Sequence, residues 1–203
     1  GELREVLLNT NLIKRSIIIW IINNTDSLFV ETKYLVHFLQ KYKRKVFWFP
    51  NSRKRIYDTK PKRKFKKRFV FISHILKAKG IDEILEAAKR IDSSYTIHIY
   101  GPIINDDYTI EELSNSGVYK GPLKPNEVIS TLLKYDVLLL PGYKEGYPGI
   151  IIEAYSLGIP VIATNLESIC EILTNYYQGI AIEPRNSEAL ICAITEFTAE
   201  NYS

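Results

Sequence analysis

The sequence predicts an α/β fold in which helices cover both faces of a parallel sheet. Two observations support this prediction. From residue 69 onward, short runs rich in β-branched residues alternate with stretches of helical periodicity. These runs are almost continuously apolar, which is typical of strands buried on both faces of a parallel sheet. An apolar fraction of 46% is sufficient for a core of this kind.

The predicted elements alternate regularly after residue 68. Strands are expected at 68–73, 95–100, 117–120, 136–140, 160–164 and 179–183. Helices are expected near 80–91, 107–114, 125–134, 149–157, 167–173 and 187–198. Parallel sheets of this type bind ligands beyond the carboxyl ends of their strands. We therefore expect a binding site in the loops that follow the strands.

The first fifty residues show a different pattern. Residues 3–22 are predicted to be helical, although their isoleucine run is equally compatible with a strand. A strand at 27–31, a helix at 32–42 and a strand at 45–49 follow. This is about one and a half βα units, too little for a sheet of its own.

Three segments are expected on this basis. Residues 1–50 are interpreted as the remnant of an incomplete second domain, with an extension of the main sheet as the alternative. Residues 51–67 contain two prolines and many charges without hydrophobic periodicity, and are interpreted as a linker. Residues 68–203 form the main domain.

Charge is distributed unevenly along the chain. The net charge is +4, but residues 1–70 carry 18 Lys and Arg against 5 acidic residues, and residues 71–203 carry 9 against 18. The stretch from Lys41 to Arg68 holds 14 basic residues and one acid. A solvated linker is the structural explanation. A functional explanation is contact with an anionic membrane surface, which we favour over nucleic acid.

The two cysteines, Cys170 and Cys192, have no metal-ligand spacing, and we interpret them as reduced, buried thiols. No signal peptide is recognisable, and the isoleucine run is too short to span a bilayer. The expected location is cytoplasmic, with peripheral membrane attachment as an addition that the basic stretch would allow.

The most informative segment runs from Glu145 to Glu153 and reads EGYPGIIIE. A glycine-rich turn and the start of an apolar helix separate its two carboxylates. The turn and the helix start supply free N–H groups and the positive end of the helix dipole, both of which favour an anion. Two carboxylates near such an anion site suit a ligand with hydroxyl-rich ends and a central diphosphate, such as a nucleotide sugar.

Several further fragments, in order over about 130 residues, extend this pattern. They are FISHILKAKG at 71–80, IYGP at 99–102, YKG at 119–121, YDVLLLP at 135–141, EGYPGIIIEA at 145–154, GIPVIAT at 158–164 and Glu171. Together they resemble the nucleotide-sugar-binding domain of the retaining family 4 (group 1) glycosyltransferases. These enzymes have the GT-B architecture, in which the domain is Rossmann-like. Residues 24–52 also resemble the end of the family's acceptor domain.

The resemblance implies roles for particular residues. Glu153 would accept hydrogen bonds from ribose hydroxyls, and Glu145 would face the donor sugar near the reacting carbon. Lys79 and His74 would hold the diphosphate. The donor would also be bound through the turn and helix start and at the strand ends that flank the base, at Gly146, Tyr147, Pro148, Gly149, Tyr100, Gly101, Val118 and Tyr119. The glycines and Tyr147 would contribute N–H groups, whereas Pro148 would occupy the first helical position.

Each assignment has a structural alternative. Glu153 is also explained as an acid near a helix N-terminus, Glu145 as a solvated loop charge and Lys79 as a surface lysine before a turn glycine. His98, which lies between two isoleucines, is interpreted as a structural histidine.

Two departures from the family pattern stand out. His74 replaces the family's arginine, and histidine lacks both a permanent charge and the bidentate guanidinium fork. Most of the acceptor domain has no counterpart, so the chain is interpreted either as a fragment or as a natural minimal version that needs a partner.

The expected function is transfer of a sugar from a nucleotide-diphosphate donor to an acceptor hydroxyl with retention of configuration. The donor is a substrate, and no cofactor or metal is expected. The acceptor would be a sugar, a lipid-linked molecule or a protein. One alternative is a donor-binding domain without independent catalysis, and another is a membrane- or nucleic-acid-binding module that reuses the fold.

Overall fold

The computed structural model describes residues 2–53, 64–176 and 179–198. The helices are α1 (Glu2–Asn9), α2 (Leu12–Asn24), α3 (Lys33–Gln40), α4 (Ile81–Arg90), α5 (Ile110–Asn115), α6 (Val128–Leu132), α7 (Gly149–Ser156), α8 (Glu167–Tyr176) and α9 (Ser187–Thr195). The strands are β1 (Leu28–Val30), β2 (Val46–Trp48), β3 (Arg68–Ile72), β4 (Thr96–Tyr100), β5 (Val137–Leu140), β6 (Val161–Thr164) and β7 (Gly179–Ile182). Two 3₁₀ turns cover Lys77–Lys79 and Pro125–Glu127.

The main sheet confirms the predicted α/β architecture. Its five strands are all parallel and lie in the order β4-β3-β5-β6-β7. Every residue of β5 and β6 is buried, because helices cover both faces of the sheet. This burial explains why these strands are continuously apolar in sequence.

The strand order places a switch point between β3 and β5. From β3 the chain crosses to β4 on one side, and then returns to pair β5 on the other side of β3. The connections that leave β3 and β5 therefore lead to opposite ends of the sheet, and a crevice is expected at the carboxyl edge where these directions separate. Such a crevice is the usual ligand site of open α/β sheets.

The N-terminal segment forms a small sheet of its own, which corrects two expectations. Strands β1 and β2 pair in parallel and do not extend the main sheet. A separate buried cluster supports them, consisting of Leu7, Ile22, Leu39 and Val46. One and a half βα units are thus sufficient for a two-stranded sheet when the three helices α1, α2 and α3 pack against it. The isoleucine run lies in α2 rather than in a strand.

Two further predictions about local structure are wrong. Residues 117–120 make a single bridge, between Ile99 and Tyr119, rather than a strand. Gly117 and Gly121 have φ values of +75° and +87°, and these left-handed residues interrupt extended backbone on both sides of the bridge. The helix expected at 125–134 begins as a 3₁₀ turn at Pro125 and becomes α-helical only in α6.

Helix α8 of the main domain joins the N-terminal segment through Glu171. Its two carboxylate oxygens accept hydrogen bonds from the backbone N–H groups of Lys33 and Tyr34, both at 2.8 Å. These are the first N–H groups of α3, which have no partner within the helix. The Thr32 hydroxyl oxygen accepts a hydrogen bond from a third N–H group, that of Leu35. A carboxylate is favourable at this positive helix end, so Glu171 fixes α3 against α8.

Asp136 anchors the start of β5. Its side chain is fully buried and accepts hydrogen bonds from the N–H groups of Lys66 and Arg68. The Arg68 guanidinium completes the pairing, with Nη2 2.9 Å from Oδ1.

The prediction that both cysteines are buried is wrong, because Cys170 is half-buried and Cys192 is exposed. Within the described residues, none of the helices has the length and apolar character needed to span a bilayer.

The Asp136→Asn variant should be destabilised by about 3 kcal/mol. Removing one partner of a buried ion pair leaves desolvated groups uncompensated, and here the amide NH₂ would also face backbone N–H donors. Urea unfolding of this variant beside Asp106→Asn, which neutralises an exposed carboxylate, measures the difference. Equal midpoints for the two variants would contradict the anchoring role of Asp136.

Candidate functional site

The loops after β3 and β5 pack against each other at the switch point. Gly80 ends the 3₁₀ turn in a left-handed conformation, with a φ of +74°. A Cβ at this position would lie 2.3 Å from the carbonyl oxygen of Pro141, so no other residue fits without displacement. The N–H of Tyr143 donates to the carbonyl of Ala78 at 2.8 Å. The two loops therefore behave as one packed unit.

This packing brings Lys79 and Glu145 together. Lys79 Nζ lies 2.7 Å from Glu145 Oε2. The Glu145 side chain is only 6% exposed and that of Lys79 is 20% exposed, so Glu145 is not the solvated loop charge of its structural alternative, and Lys79 is only partly at the surface. The second carboxylate oxygen, Oε1, is buried and has no hydrogen-bond partner among the described residues. An acceptor without a partner beside a partly exposed ammonium group is an arrangement that a polar ligand can complete.

A second contact holds the β5 loop in place. The Tyr143 hydroxyl donates to Oε1 of the buried Glu83, on α4, at 2.5 Å. Burial and the adjacent Glu83 carboxylate raise the pKa of Tyr143, so the phenol keeps its proton and remains a donor. Ser168 also donates to the carbonyl of Glu145, at 2.7 Å. The backbone on either side of Lys144 is thus fixed from two directions.

Helix α7 begins directly beyond this loop. Pro148 is the N-cap and Gly149 the first helical residue, so Pro148 lies one position earlier than predicted. Among residues 2–53, 64–176 and 179–198, no side-chain hydrogen bond caps the helix start. Glu153 is paired, because Arg53 Nε lies 2.7 Å from its Oε1. Each of the two predicted carboxylates therefore has its own cation: Lys79 for Glu145 and Arg53 for Glu153.

Two depressions flank the crevice. The larger, with a volume of about 640 Å³, is lined by Lys79, Glu145 and Gly146 from the main domain and by Arg4, Glu31 and Tyr34 from the N-terminal segment, among others. The smaller, of about 200 Å³, contains His74 and Gly101.

The remaining predicted residues are dispersed around these depressions. Tyr119 donates its hydroxyl to the carbonyl of Gly101 at 2.9 Å, whereas Val118 lines a separate cavity beside His98. The side chain of Tyr147 is buried in the main core, and its carbonyl accepts a hydrogen bond from Asn51.

His98 is placed as a structural residue. Its Nδ1 lies 2.6 Å from the Tyr135 hydroxyl, which is 3.0 Å from the hydroxyl of Tyr100. Burial, together with the charge of Lys120, lowers the pKa of His98 and favours the neutral ring. These contacts give the polar groups of His98 and Tyr100 hydrogen-bond partners that do not include Lys79.

Sequence reasoning missed Arg53 and the wall of the larger depression formed by the N-terminal segment. Arg53 stands in a stretch of scattered charges that resembles any solvated linker. Its partner, Glu153, is 100 residues away, so no local periodicity relates the two. For the wall formed by the N-terminal segment, the signal in the sequence was the resemblance of residues 24–52 to the end of an acceptor domain.

Comparison with known proteins identifies the family. The family model for "Glycosyl transferases group 1" matches residues 52–202, which is more than half of the chain. The chain belongs to the group 1 glycosyl transferases.

Two relatives illustrate the similarity to other group 1 glycosyl transferases. A glycosyltransferase of Bacillus subtilis (strain 168), TuaC, whose name links it to teichuronic acid biosynthesis, is 30% identical over 132 residues, 64% of this chain and 33% of its own. The N,N'-diacetylbacillosaminyl-diphospho-undecaprenol alpha-1,3-N-acetylgalactosaminyltransferase of Campylobacter jejuni is 25% identical over 159 residues, 78% of this chain and 40% of its own. The chain thus spans between 33% and 40% of the length of these relatives.

Solved structures show the same fold. Staphylococcus aureus TarM, bound to Fondaparinux, alpha-GlcNAc-glycerol and UDP, aligns with a TM-score of 0.75 at 19% identity over 96% of this chain and 42% of TarM. HepE from Anabaena, bound to UDP, aligns with a TM-score of 0.75 at 14% identity over 93% of this chain and 58% of HepE. The fold is that of GT-B glycosyltransferases.

Replacing Gly80 by alanine should lower the free energy of unfolding by about 1–3 kcal/mol more than replacing Gly117. The two glycines have nearly equal φ values, +74° and +75°, so the conformational penalty is matched. A Cβ at Gly117 meets nothing within 4 Å, whereas at Gly80 it meets Pro141. Chemical unfolding of both variants measures the difference, and equal losses would show that the two loops do not depend on this close approach.

Proposed function

We propose that this chain binds a nucleotide-diphosphate sugar and transfers the sugar to an acceptor hydroxyl, with retention at the anomeric carbon. The observation that carries the proposal is the buried Lys79–Glu145 pair at the switch point of the sheet, directly before the uncapped start of α7. It combines an ammonium group, a carboxylate oxygen that lacks a partner among the described residues, and a helix end that favours anions.

Departure of the nucleoside diphosphate would be assisted by positive charge. In this proposal Lys79, His74 and the first N–H groups of α7 hold the diphosphate and stabilise the negative charge that develops on the leaving oxygen. Lys79 and the helix end supply that charge without a metal ion. The base is held near the strand ends at Gly101, Val118 and Tyr119.

The two carboxylates would act on the sugars at either end of the diphosphate. Glu153 accepts hydrogen bonds from the vicinal ribose hydroxyls, since each carboxylate oxygen can accept two hydrogen bonds and, among the described residues, only Oε1 is paired with Arg53. Glu145 orients the donor sugar and stabilises positive charge as it develops at the anomeric carbon. Its burial beside Lys79 strengthens both interactions, because the site has a low local dielectric.

The larger depression suggests where the acceptor enters. It extends from Lys79 and Glu145 to Arg4, Glu31 and Tyr34 on the N-terminal segment, which places polar groups opposite the donor. A sugar, lipid-linked or protein acceptor is compatible with such a wall. The name of the Campylobacter jejuni relative includes a diphospho-undecaprenol carrier, which supports the lipid-linked class. The basic residues from Lys41 to Arg68 would then attach the protein to an anionic membrane surface.

A second candidate is donor binding without independent catalysis. It is favoured by the limited coverage of the relatives, since the chain matches about a third of their length. Donor binding without hydrolysis or transfer by this chain would support it over the first candidate.

Glu153→Ala should weaken binding of the donor nucleotide at least tenfold, about 1.4 kcal/mol, because two ribose hydrogen bonds to a charged acceptor are lost. A thermal-shift screen against a panel of nucleotide sugars identifies the donor. Calorimetric titration of the wild type and the variant then measures the loss. Glu111→Ala, which removes an exposed carboxylate from α5, is the matched control. Unchanged affinity in Glu153→Ala would contradict the ribose contact.

Glu145→Gln should reduce the rate of donor hydrolysis or transfer by about a hundredfold, with little change in donor affinity. The substitution keeps the size of the side chain but removes the negative charge that stabilises the developing positive charge. Single-turnover assays with the identified donor measure the rate. A variant with wild-type turnover would rule out this role for Glu145.

A further inference from the structure

Arg53 reaches the start of α7 from the segment that joins the two sheets. We infer that it is a diphosphate-binding residue of the donor site and supplies the guanidinium that His74 cannot. The inference rests on the proposed function. It concerns a residue outside the motif from Glu145 to Glu153, on a different part of the chain.

The position of the Arg53 side chain is closely defined. Its Nε lies 2.7 Å from Glu153 Oε1, and its Nη1 donates to the carbonyl of Ser52 at 2.9 Å and to the side-chain oxygen of Asn51. Asn51 in turn donates to the carbonyl of Tyr147 at 3.3 Å. These contacts tie the end of the joining segment to the turn that precedes α7.

The guanidinium lies directly over the first residue of α7. A Cβ on Gly149 would be 1.9 Å from Arg53 Nη2 and 2.4 Å from its Cζ. Packing as well as the turn therefore favours glycine at 149, because any side chain there would displace Arg53. Among the described residues, Nη2 has no hydrogen-bond partner, so its two N–H groups are available beside the uncapped helix start.

The electrostatics of this arrangement favour an additional anion. A cation beside a helix N-terminus is opposed by the helix dipole, and Glu153 offsets only part of that cost. Arg53, the first N–H groups of α7 and Lys79 all attract negative charge at the same sheet edge. A diphosphate would satisfy these groups together.

Arginine is well suited to this position. The guanidinium stays charged at all relevant pH values and binds phosphate oxygens through a planar fork, whereas the His74 imidazole does neither. Its Nε can remain on Glu153 while Nη2 binds a phosphate oxygen. Among the described residues, the other Glu153 oxygen accepts no hydrogen bond, so it is available for the ribose. One guanidinium would thus bind the phosphate and leave this oxygen open to the ribose.

The opposite possibility is that Arg53 competes with ribose for Glu153. The two possibilities predict opposite changes in nucleotide affinity when Arg53 is removed, so titration of the full chain distinguishes them. Wild type, Arg53→Ala and Arg53→Lys are titrated calorimetrically with uridine, adenosine and guanosine 5′-diphosphates. Affinities for the three nucleosides are measured by NMR line broadening. Lys64→Ala, which removes an exposed charge from the same basic stretch, is the matched control.

We expect Arg53→Ala to lose at least tenfold in affinity for the preferred nucleoside diphosphate, with affinity for the nucleoside unchanged or higher. Arg53→Lys should recover part of the loss, because it restores the charge without the fork, and Lys64→Ala should bind like the wild type. Melting curves establish that each variant is folded. If the Ala variant does not fold, Arg53→Gln takes its place.

Equal or tighter diphosphate binding by a folded Arg53→Ala or Arg53→Gln variant would overturn the inference and leave the proposed function intact. Parallel losses for diphosphate and nucleoside would also overturn it, because they would indicate a general disturbance of the site. A wild-type protein that binds none of the diphosphates would overturn the proposed function itself.

Discussion

The close approach of the β3–α4 and β5–α7 loops is the constraint on which the candidate site depends. Gly80 lies against the carbonyl of Pro141, and the N–H of Tyr143 bonds to the carbonyl of Ala78. These backbone contacts place Lys79 and Glu145 next to each other. The ion pair therefore does not depend only on the conformations of the two long side chains. The same contacts keep most of the Lys79–Glu145 pair away from solvent, which strengthens the charge interaction between the two side chains.

The pairing of charges at this edge gives its residues two roles at once. A carboxylate as buried as Glu145 needs a nearby cation, so Lys79 has a structural role beside the anion-binding role that we propose for it. The same holds for Arg53 and Glu153 at the start of α7. Structural and functional explanations of these residues are therefore not competitors. A ligand that carries both hydroxyl and phosphate groups can bind such pairs without leaving either charge uncompensated.

The sequence was sufficient for the five strands of the main sheet and for the placement of Lys79 and Glu145 at its carboxyl edge, but not for contacts made across long separations. Buried parallel strands are continuously apolar, so β5 and β6 are visible as local patterns. The bridge at Tyr119 has the same composition as a strand, and only the left-handed glycines around it show otherwise. The position of Arg53 depends on how the joining segment returns to α7, which no periodicity encodes. The assignment of 1–50, 51–67 and 68–203 as remnant, linker and sugar-binding domain stays a prediction, and residues 54–63 of that linker lie outside the described residues.

The N-terminal segment is held by the same kind of interaction as the proposed donor site uses, an anion at the positive end of a helix. Glu171 provides two carboxylate oxygens to the first N–H groups of α3, so the positive end of α3 is neutralised by the main domain rather than by solvent. Tyr34 lies in this first turn of α3. It also lines the larger depression, as does Glu145. A contact that lies outside the depression therefore holds this wall in place. A change that weakens the hydrogen bonds between Glu171 and α3 would displace Tyr34 from the wall while leaving Lys79, Glu145 and the start of α7 in place.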